Sequence, residues 1–179
     1  MRKVSGLTLI ELVTVLAVTA ILLAVVTPSV ESILANNRSS AYANDLLSAL
    51  RLARAEAINR GVSMSLCARA SSTSTSSCGL TWSNGWMLFT DGRGGAGAGT
   101  LASSGEEVVK VWPAPKGSAT IVTTPANTGY VRFLPNGGRD QSNGASALAI
   151  RFADCTGNQD RTLAVSPTGF VDVSKNACP

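Results

Sequence analysis

From Leu7 to Thr27 the chain is apolar for 21 residues, and Glu11 is the one charged side chain among them. A helix of that length spans about 31 Å, the thickness of a bilayer's hydrocarbon core. Beyond Pro28 the pattern changes. Ile33 and Leu34, then Ala43, Leu46, Leu47, Leu50, Ala53, Ala57 and Ile58 recur at spacings of three and four, with Arg51, Arg54, Glu56 and Arg60 interleaved. This is the period of a helix with one apolar face, and Gly61 supplies a stop. Leu7 to Arg60 is therefore expected to form one long helix, kinked or loosened near Pro28. Its first half faces lipid or a bundle of like helices, and its second half packs on a domain. Arg51, Arg54 and Arg60 are expected on the solvated face of that second half rather than in a basic binding stripe.

From Val62 the period shortens to two. Val62, Met64 and Leu66 alternate with Ser63, Ser65 and Cys67, as in a half-buried strand. Further candidates are Trp86 to Phe89, Glu107 to Trp112, Ala119 to Thr123, Tyr130 to Leu134, Ala147 to Phe152, Arg161 to Val165 and Phe170 to Val173. Turn pairs punctuate them at Asn84-Gly85, Asp91-Gly92, Asn136-Gly137 and Thr168-Gly169. The expected class is α+β: a long N-terminal helix packed on an antiparallel, sandwich-like β domain. Two low-complexity pieces read as loops. Ser71 to Ser77 is nearly all Ser and Thr, and Asp91 to Gly99 is glycine-rich. No Gly-Lys-Ser/Thr follows the second, so it reads as a hairpin loop and not as a phosphate cradle. Its acids do not make an EF-hand pattern.

Composition narrows the chemistry. The net charge is +4, and losing Arg2 and Lys3 with a leader would lower it to +2. That is mild for a nucleic-acid binder, which needs clustered cations. The chain has no His, so the commonest general base and metal ligand is missing. No nucleophile elbow or paired-carboxylate motif can be placed. No catalytic residue, metal or cofactor is expected, and the chain reads as a non-enzyme. The four cysteines, Cys67, Cys78, Cys155 and Cys178, all follow the apolar segment. The C-x₂₋₄-C pairs of a zinc site are absent, and in an exported domain an even number argues for two disulfides. Of three connectivities, the local spacings favour Cys67–Cys78 with Cys155–Cys178.

The N-terminus carries the functional information. A secretory signal would end in a small-residue cleavage site after the apolar run, but Thr27-Pro28-Ser29 is a poor one. The small residues Ser5-Gly6 lie before the run instead, so cleavage there would leave the helix on the mature protein. Arg2 and Lys3 would stay cytoplasmic and send the rest outward. Glu11 inside a membrane costs about 2.5–3.5 kcal/mol and calls for a partner. A cut between Gly6 and Leu7 would free an α-amino group four residues away, on the same or a neighbouring subunit; the alternative is a carboxylate that snorkels at the interface.

Gly6-Leu7-Thr8-Leu9-Ile10-Glu11 resembles the prepilin motif of type IV pilins and type II secretion pseudopilins. The resemblance implies cleavage after Gly6 by a prepilin peptidase, N-methylation of Leu7, Glu11 as the assembly carboxylate, and Pro28 as the helix-kinking proline. Leu7 departs from the Phe usual at the first mature position. Cys67, Cys78, Trp82-Ser-Asn-Gly-Trp86, Phe89-Thr-Asp91-Gly92, Phe133-Leu-Pro-Asn-Gly-Gly-Arg139 and the ending Leu163 to Gly169 with Cys178 resemble the H-type pseudopilin and FimT/FimU-like minor pilins. The organisation implied is a leader over 1–6, a membrane or filament-core helix over 7–27, an amphipathic half over 28–61 and a β-rich pilin domain over 62–179. The implied function is that of a minor pilin that primes pilus assembly or sits at the tip. It would be held in the inner membrane by one helix, with its domain in the periplasm. Its partners would be the major and other minor pilins and the assembly platform. The alternatives are a type II secretion pseudopilin and a DNA-binding pilin for transformation. FimT-like DNA binding uses a Gly-Arg-x-Arg element; here the place reads Gly169-Phe170-Val171-Asp172, which argues against nucleic acid. Arg132, Arg139, Arg151 and Arg161 are the remaining candidates for a basic cluster.

Overall fold

The computed structural model describes residues 6, 8–92, 97–101, 105–114, 119–142, 144–152, 155 and 157–178; of residues 24–32 it describes the backbone alone. Helix α1 (Leu9–Arg60, 52 residues) starts the order. It is followed by β1 (Met64–Arg69), β2 (Cys78–Gly79), a 3₁₀ turn (Trp82–Asn84), β3 (Trp86–Thr90) and β4 (Val108–Trp112). Then come β5 (Ala119–Thr124), β6 (Tyr130–Phe133), β7 (Ala147–Phe152), β8 (Asp160–Val165) and β9 (Val171–Asn176). The chain forms two compact units, Met1–Asn37 and Arg38–Pro179.

The first unit holds the apolar part of α1. Every described side chain from Thr8 to Leu23 is exposed, including Leu9, Ile10, Leu12, Leu16 and Leu22. The helical backbone continues through residue 28, while the Pro28 side chain lies outside the described residues. Among the described residues no helix is long and apolar enough to cross a membrane.

In the second unit α1 does have an apolar face. Tyr42, Ala43, Leu46, Ala49, Leu50, Ala53 and Ala57 are buried in one cluster. The face is narrower than its sequence pattern, because Ile58 is half exposed. Gly61 ends the helix with φ +66°, and its N–H reaches the Ala57 carbonyl at 3.1 Å, as a left-handed C-terminal glycine does.

Both sheets are antiparallel throughout. The first has the order β2-β1-β3-β4. The second edge of β1 is shared, with β6 pairing along Met64–Cys67 and β2 along Ala68–Arg69. The second sheet has the order β5-β7-β8-β9. Met64, Leu66, Leu88, Val131 and Phe133 from the first sheet and Leu148, Ile150, Leu163 and Val165 from the second meet the helix residues in the same core.

The alternation read along β1 does not make a half-exposed strand: all six of its residues are buried. Leu66 faces the helix core, while Cys67 joins Met87 and Phe89 in a second cluster, flanked by Leu101, Val108, Val111 and Tyr130. The cover comes partly from the described end of the glycine-rich loop. Gly99 has φ +75°, and a Cβ there would lie 2.1 Å from the Tyr130 ring. A glycine is what lets the backbone lie flat on that ring. The part of the loop from 97 to 101 is thus packed, against the expectation of a free hairpin loop; 93–96 lie outside the described residues.

Candidate functional site

Thr8 precedes the first helical residue, and Glu11 occupies the third position of α1. The Thr8 hydroxyl accepts the Glu11 N–H at 3.4 Å, and Glu11 Oε2 accepts the Thr8 N–H, also at 3.4 Å. These reciprocal long bonds form a capping box, and the positive end of the helix favours the carboxylate there. Further on, Thr14 donates to the Glu11 carbonyl at 2.9 Å and Thr19 to the Val15 carbonyl at 2.7 Å. Both hydroxyls are thereby satisfied within their own helix. Glu11 is left as the one ionisable side chain on the described apolar stretch. Thr8-x-x-Glu11 before an apolar run is the sequence signature of this cap, separate from any need of the carboxylate for a cationic partner. Gly6 has nothing within 4 Å of where a side chain would stand, while Leu7 and the leader residues 1–5 lie outside the described residues.

Disulfides join Cys67 to Cys78 and Cys155 to Cys178. The first closes the Ser/Thr loop, which is knotted internally. Ala70 N–H reaches the Ser77 carbonyl at 3.0 Å, Ser74 and Ser77 share a hydroxyl contact of 2.6 Å, and Arg69 Nε donates to the Ser74 carbonyl. The second disulfide anchors the chain just after β9. Asp160 lies beside it, but the sulfurs are bonded to each other and offer no thiolates to a metal.

Arg54 corrects the sequence reading. It does not lie free on a solvated face. Its Nε donates to the Gly137 carbonyl at 3.0 Å and its Nη2 to the Thr168 carbonyl at 3.3 Å. Arg60 pairs with Glu56 at 2.6 Å and Glu107 at 3.1 Å, the Glu56 bond being the main cause that raises its pKa further. Arg51 and Arg60 are both exposed, as expected of the solvated face. The other four arginines do not make an exposed cluster. Arg132 is buried, 2.7 Å from Asp140 and 3.3 Å from Asp91. Arg139 donates to the Val165 and Asp140 carbonyls, each at 3.1 Å. Arg161 is buried and donates to the Asn158 and Asp160 carbonyls at 3.0 Å. Arg151 is half exposed, 3.8 Å from Asp160.

Asp91, read as a turn residue, is fully buried. Its Oδ2 accepts the Ser65 hydroxyl at 2.6 Å and the Gly99 N–H at 2.7 Å, which pins the loop over the first sheet. Arg132 Nη2 donates to the Asp91 carbonyl at 3.1 Å. Asp91 Oδ1 and Arg132 Nε have no hydrogen-bond partner among the described residues. Burial first, then the charges of Asp140 and Asp91, push the Tyr130 pKa up. Burial acts to raise Asp140 too, but the Ser142 N–H and Arg132 outweigh it and hold this carboxyl below its ordinary value.

Residues 1–27 match the prokaryotic N-terminal methylation motif, and residues 42–169 match the family described as type II transport protein GspH. A search of curated proteins finds no significant match. Among solved structures, the fold is similar to the type IV minor pilin FimU of Pseudomonas aeruginosa strain PAO1 in two crystal forms. In the P21 form the TM-score is 0.58 at 19% identity, covering 77% of this chain and 89% of FimU. In the P65 form the values are 0.55, 18%, 75% and 91%. A helix that leads into this β-rich domain, headed by the methylation motif, is the pilin arrangement: the chain belongs to the GspH family of type IV pilin-like proteins.

Proposed function

We propose that the chain is a minor structural subunit of a type IV pilus, which primes its assembly or sits at its tip. The observation that carries the reading is the methylation motif of residues 1–27 at the head of a helix whose described side chains from Thr8 to Leu23 are all exposed. A prepilin peptidase cuts between Gly6 and Leu7, and Leu7 becomes the methylated N-terminus. The segment 7–27 holds the precursor in the inner membrane with the folded domain in the periplasm. Assembly moves that segment from lipid into a bundle of helices from the major and other minor pilins, where apolar contact is kept and the Glu11 carboxylate meets an α-amino group. The domain supplies contacts to other subunits and no chemistry of its own.

The match over residues 42–169 favours one second reading, a pseudopilin of a type II secretion filament. Mass spectrometry of the membrane-extracted chain tests the common part: N-methyl-Leu7 is expected, and an intact Met1 would overturn both readings. Deleting the gene and scoring surface pili against secreted protein separates them. Lost piliation with normal secretion supports the pilus; the reverse supports the pseudopilin.

A further inference from the structure

Phe170 stands apart among the aromatic side chains. The chain has four Phe, three Trp and two Tyr. Phe170 alone of these is mostly exposed, at 65%, the rest being buried or half-buried. It is also firmly placed. Ser166 N–H reaches the Phe170 carbonyl at 2.8 Å, and Phe170 N–H reaches the Ser166 hydroxyl at 3.0 Å. Gly169 has φ +80°, and a Cβ there would stand 1.9 Å from the Gly137 carbonyl oxygen. The 166–170 turn is therefore pressed onto the 136–138 turn, and Arg54 bonds to both. The Arg54 guanidinium lies 4.4 Å from the centre of the Phe170 ring. Beside the ring runs a groove of about 390 Å³, walled by Arg51, Arg54, Ala55, Ile58 and Val171, with no acidic residue among the described residues of its lining. Ile58 is half exposed on it. Arg51 is exposed and has no ion-pair or hydrogen-bond partner among the described residues.

An aromatic ring held in advance, an arginine beside it and an aliphatic neighbour are the make-up of a binding hot spot, and ordering costs little when the groups are already fixed. We propose that this groove docks a neighbouring filament subunit of a different kind, through a segment that carries a carboxylate next to an aliphatic or aromatic side chain. The carboxylate meets Arg51, and the apolar side chain covers Phe170 and Ile58. The inference rests on the filament reading above. A groove-to-groove pair of two copies would set like charges against each other. Nucleic acid fits less well, because Arg54 is committed to two carbonyls and a ring. Arg51, the one cation of the groove's described lining that is not so committed, cannot by itself follow a phosphate chain.

The test places photoreactive benzoylphenylalanine at position 58 of the full chain in its native cells. Irradiation is expected to give an adduct with another protein that bears its own N-terminal methylation motif, mapped to an acidic segment. Its yield is expected to fall at least tenfold in Phe170→Ala and Arg51→Glu and to survive in Arg51→Lys, with an unchanged melting temperature. Equal yield in Phe170→Ala, an adduct only with nucleic acid or a second copy, or no adduct at all would overturn the proposal. The same cells report the N-terminus and the content of sheared filaments. A chain that is methylated at Leu7 and present in filaments but forms no adduct refutes the groove alone. A chain that is unprocessed and absent from filaments refutes the filament reading and the groove with it.

Discussion

Leu46, Leu50 and Ala53 on α1 are fully buried, whereas Leu9, Ile10, Leu16 and Leu22 on the same helix are more than half exposed. Helix formation does not separate these stretches, since both are continuous helix even though Val, Ile and Thr are frequent from Leu9 to Leu23. What differs is the arrangement. From Tyr42 to Ala57 the apolar residues form one stripe, and two sheets of the same chain cover it. From Leu9 to Leu23 they surround the helix, and no described side chain there is buried. A helix apolar on all sides is one that lipid or other helices cover. At about 25 cal/mol per Å² of apolar surface, leaving it in water is costly. The domain's stability is thus an internal matter, and the first half's burial has to come from outside.

That contrast can be broken at its strongest internal point. Arg132 lies between Asp91 and Asp140, and Asp91 is fully buried. Removing one partner of a buried pair leaves a charge uncompensated. Arg132→Ala is expected to lower unfolding stability by about 3–5 kcal/mol, measured by urea titration of the detergent-extracted chain with Trp fluorescence as the probe. A loss below about 1 kcal/mol, the scale of an exposed pair, would mean that the network does not hold the first sheet together.

A paired substitution sharpens the comparison along the helix itself. Leu50→Ala is expected to cost about 2–5 kcal/mol in the same titration, from lost burial and the cavity left behind. Leu16→Ala is expected to stay within about 0.5 kcal/mol of the parent, as exposed sites do. If the two substitutions cost the same, the division into two units does not describe the energetics.

A smaller effect is expected in acid. Asp140 has its folded-state pKa held below the ordinary value. Its contribution is therefore present above the unfolded pKa, about 3.9, and is lost as pH falls through the folded value. Stability curves from pH 6 to pH 3 are expected to drop less steeply at the acid end in Asp140→Asn. An unchanged acid limb would remove Asp140 from the account.

The period-3.6 and period-2 patterns were enough to predict a long helix and most of the strands, because each needs only neighbours along the chain. They could not show that Ser65 and Cys67 on β1 are buried as deeply as Leu66. The cover comes from Gly99, Leu101 and Tyr130, each more than thirty residues away in sequence. Arg54 misled for the same reason: the Gly137 and Thr168 carbonyls that hold it lie 83 and 114 residues further on. The short β2 carries no pattern of its own; it pairs with β1 at Ala68 and Arg69, next to where the Cys67–Cys78 disulfide brings the chain back. The N-terminal motif, by contrast, is local. The cap between Thr8 and Glu11 could have been read from four residues.

That cap sets the finest test, with the smallest expected effect on folding. Glu11 closes the first turn with Thr8, and under the proposed function its charge would also meet an α-amino group in a filament. Glu11→Gln separates the two roles, because a glutamine at this position can still accept the Thr8 N–H but carries no charge. Thr8→Ala makes the opposite change, removing the capping hydroxyl at a cost of about 0.5–2 kcal/mol local to the helix start. Neither substitution is expected to move the domain's urea midpoint. Hydrogen exchange at the amides of the first turn is expected to speed up in Thr8→Ala and to stay slow in Glu11→Gln. Incorporation into sheared filaments, scored by immunoblot, is expected to fall in Glu11→Gln as far as in Glu11→Ala, because pairing in an apolar bundle depends on the charge. Normal incorporation of Glu11→Gln would reduce the carboxylate to a helix cap and leave the α-amino pairing without support.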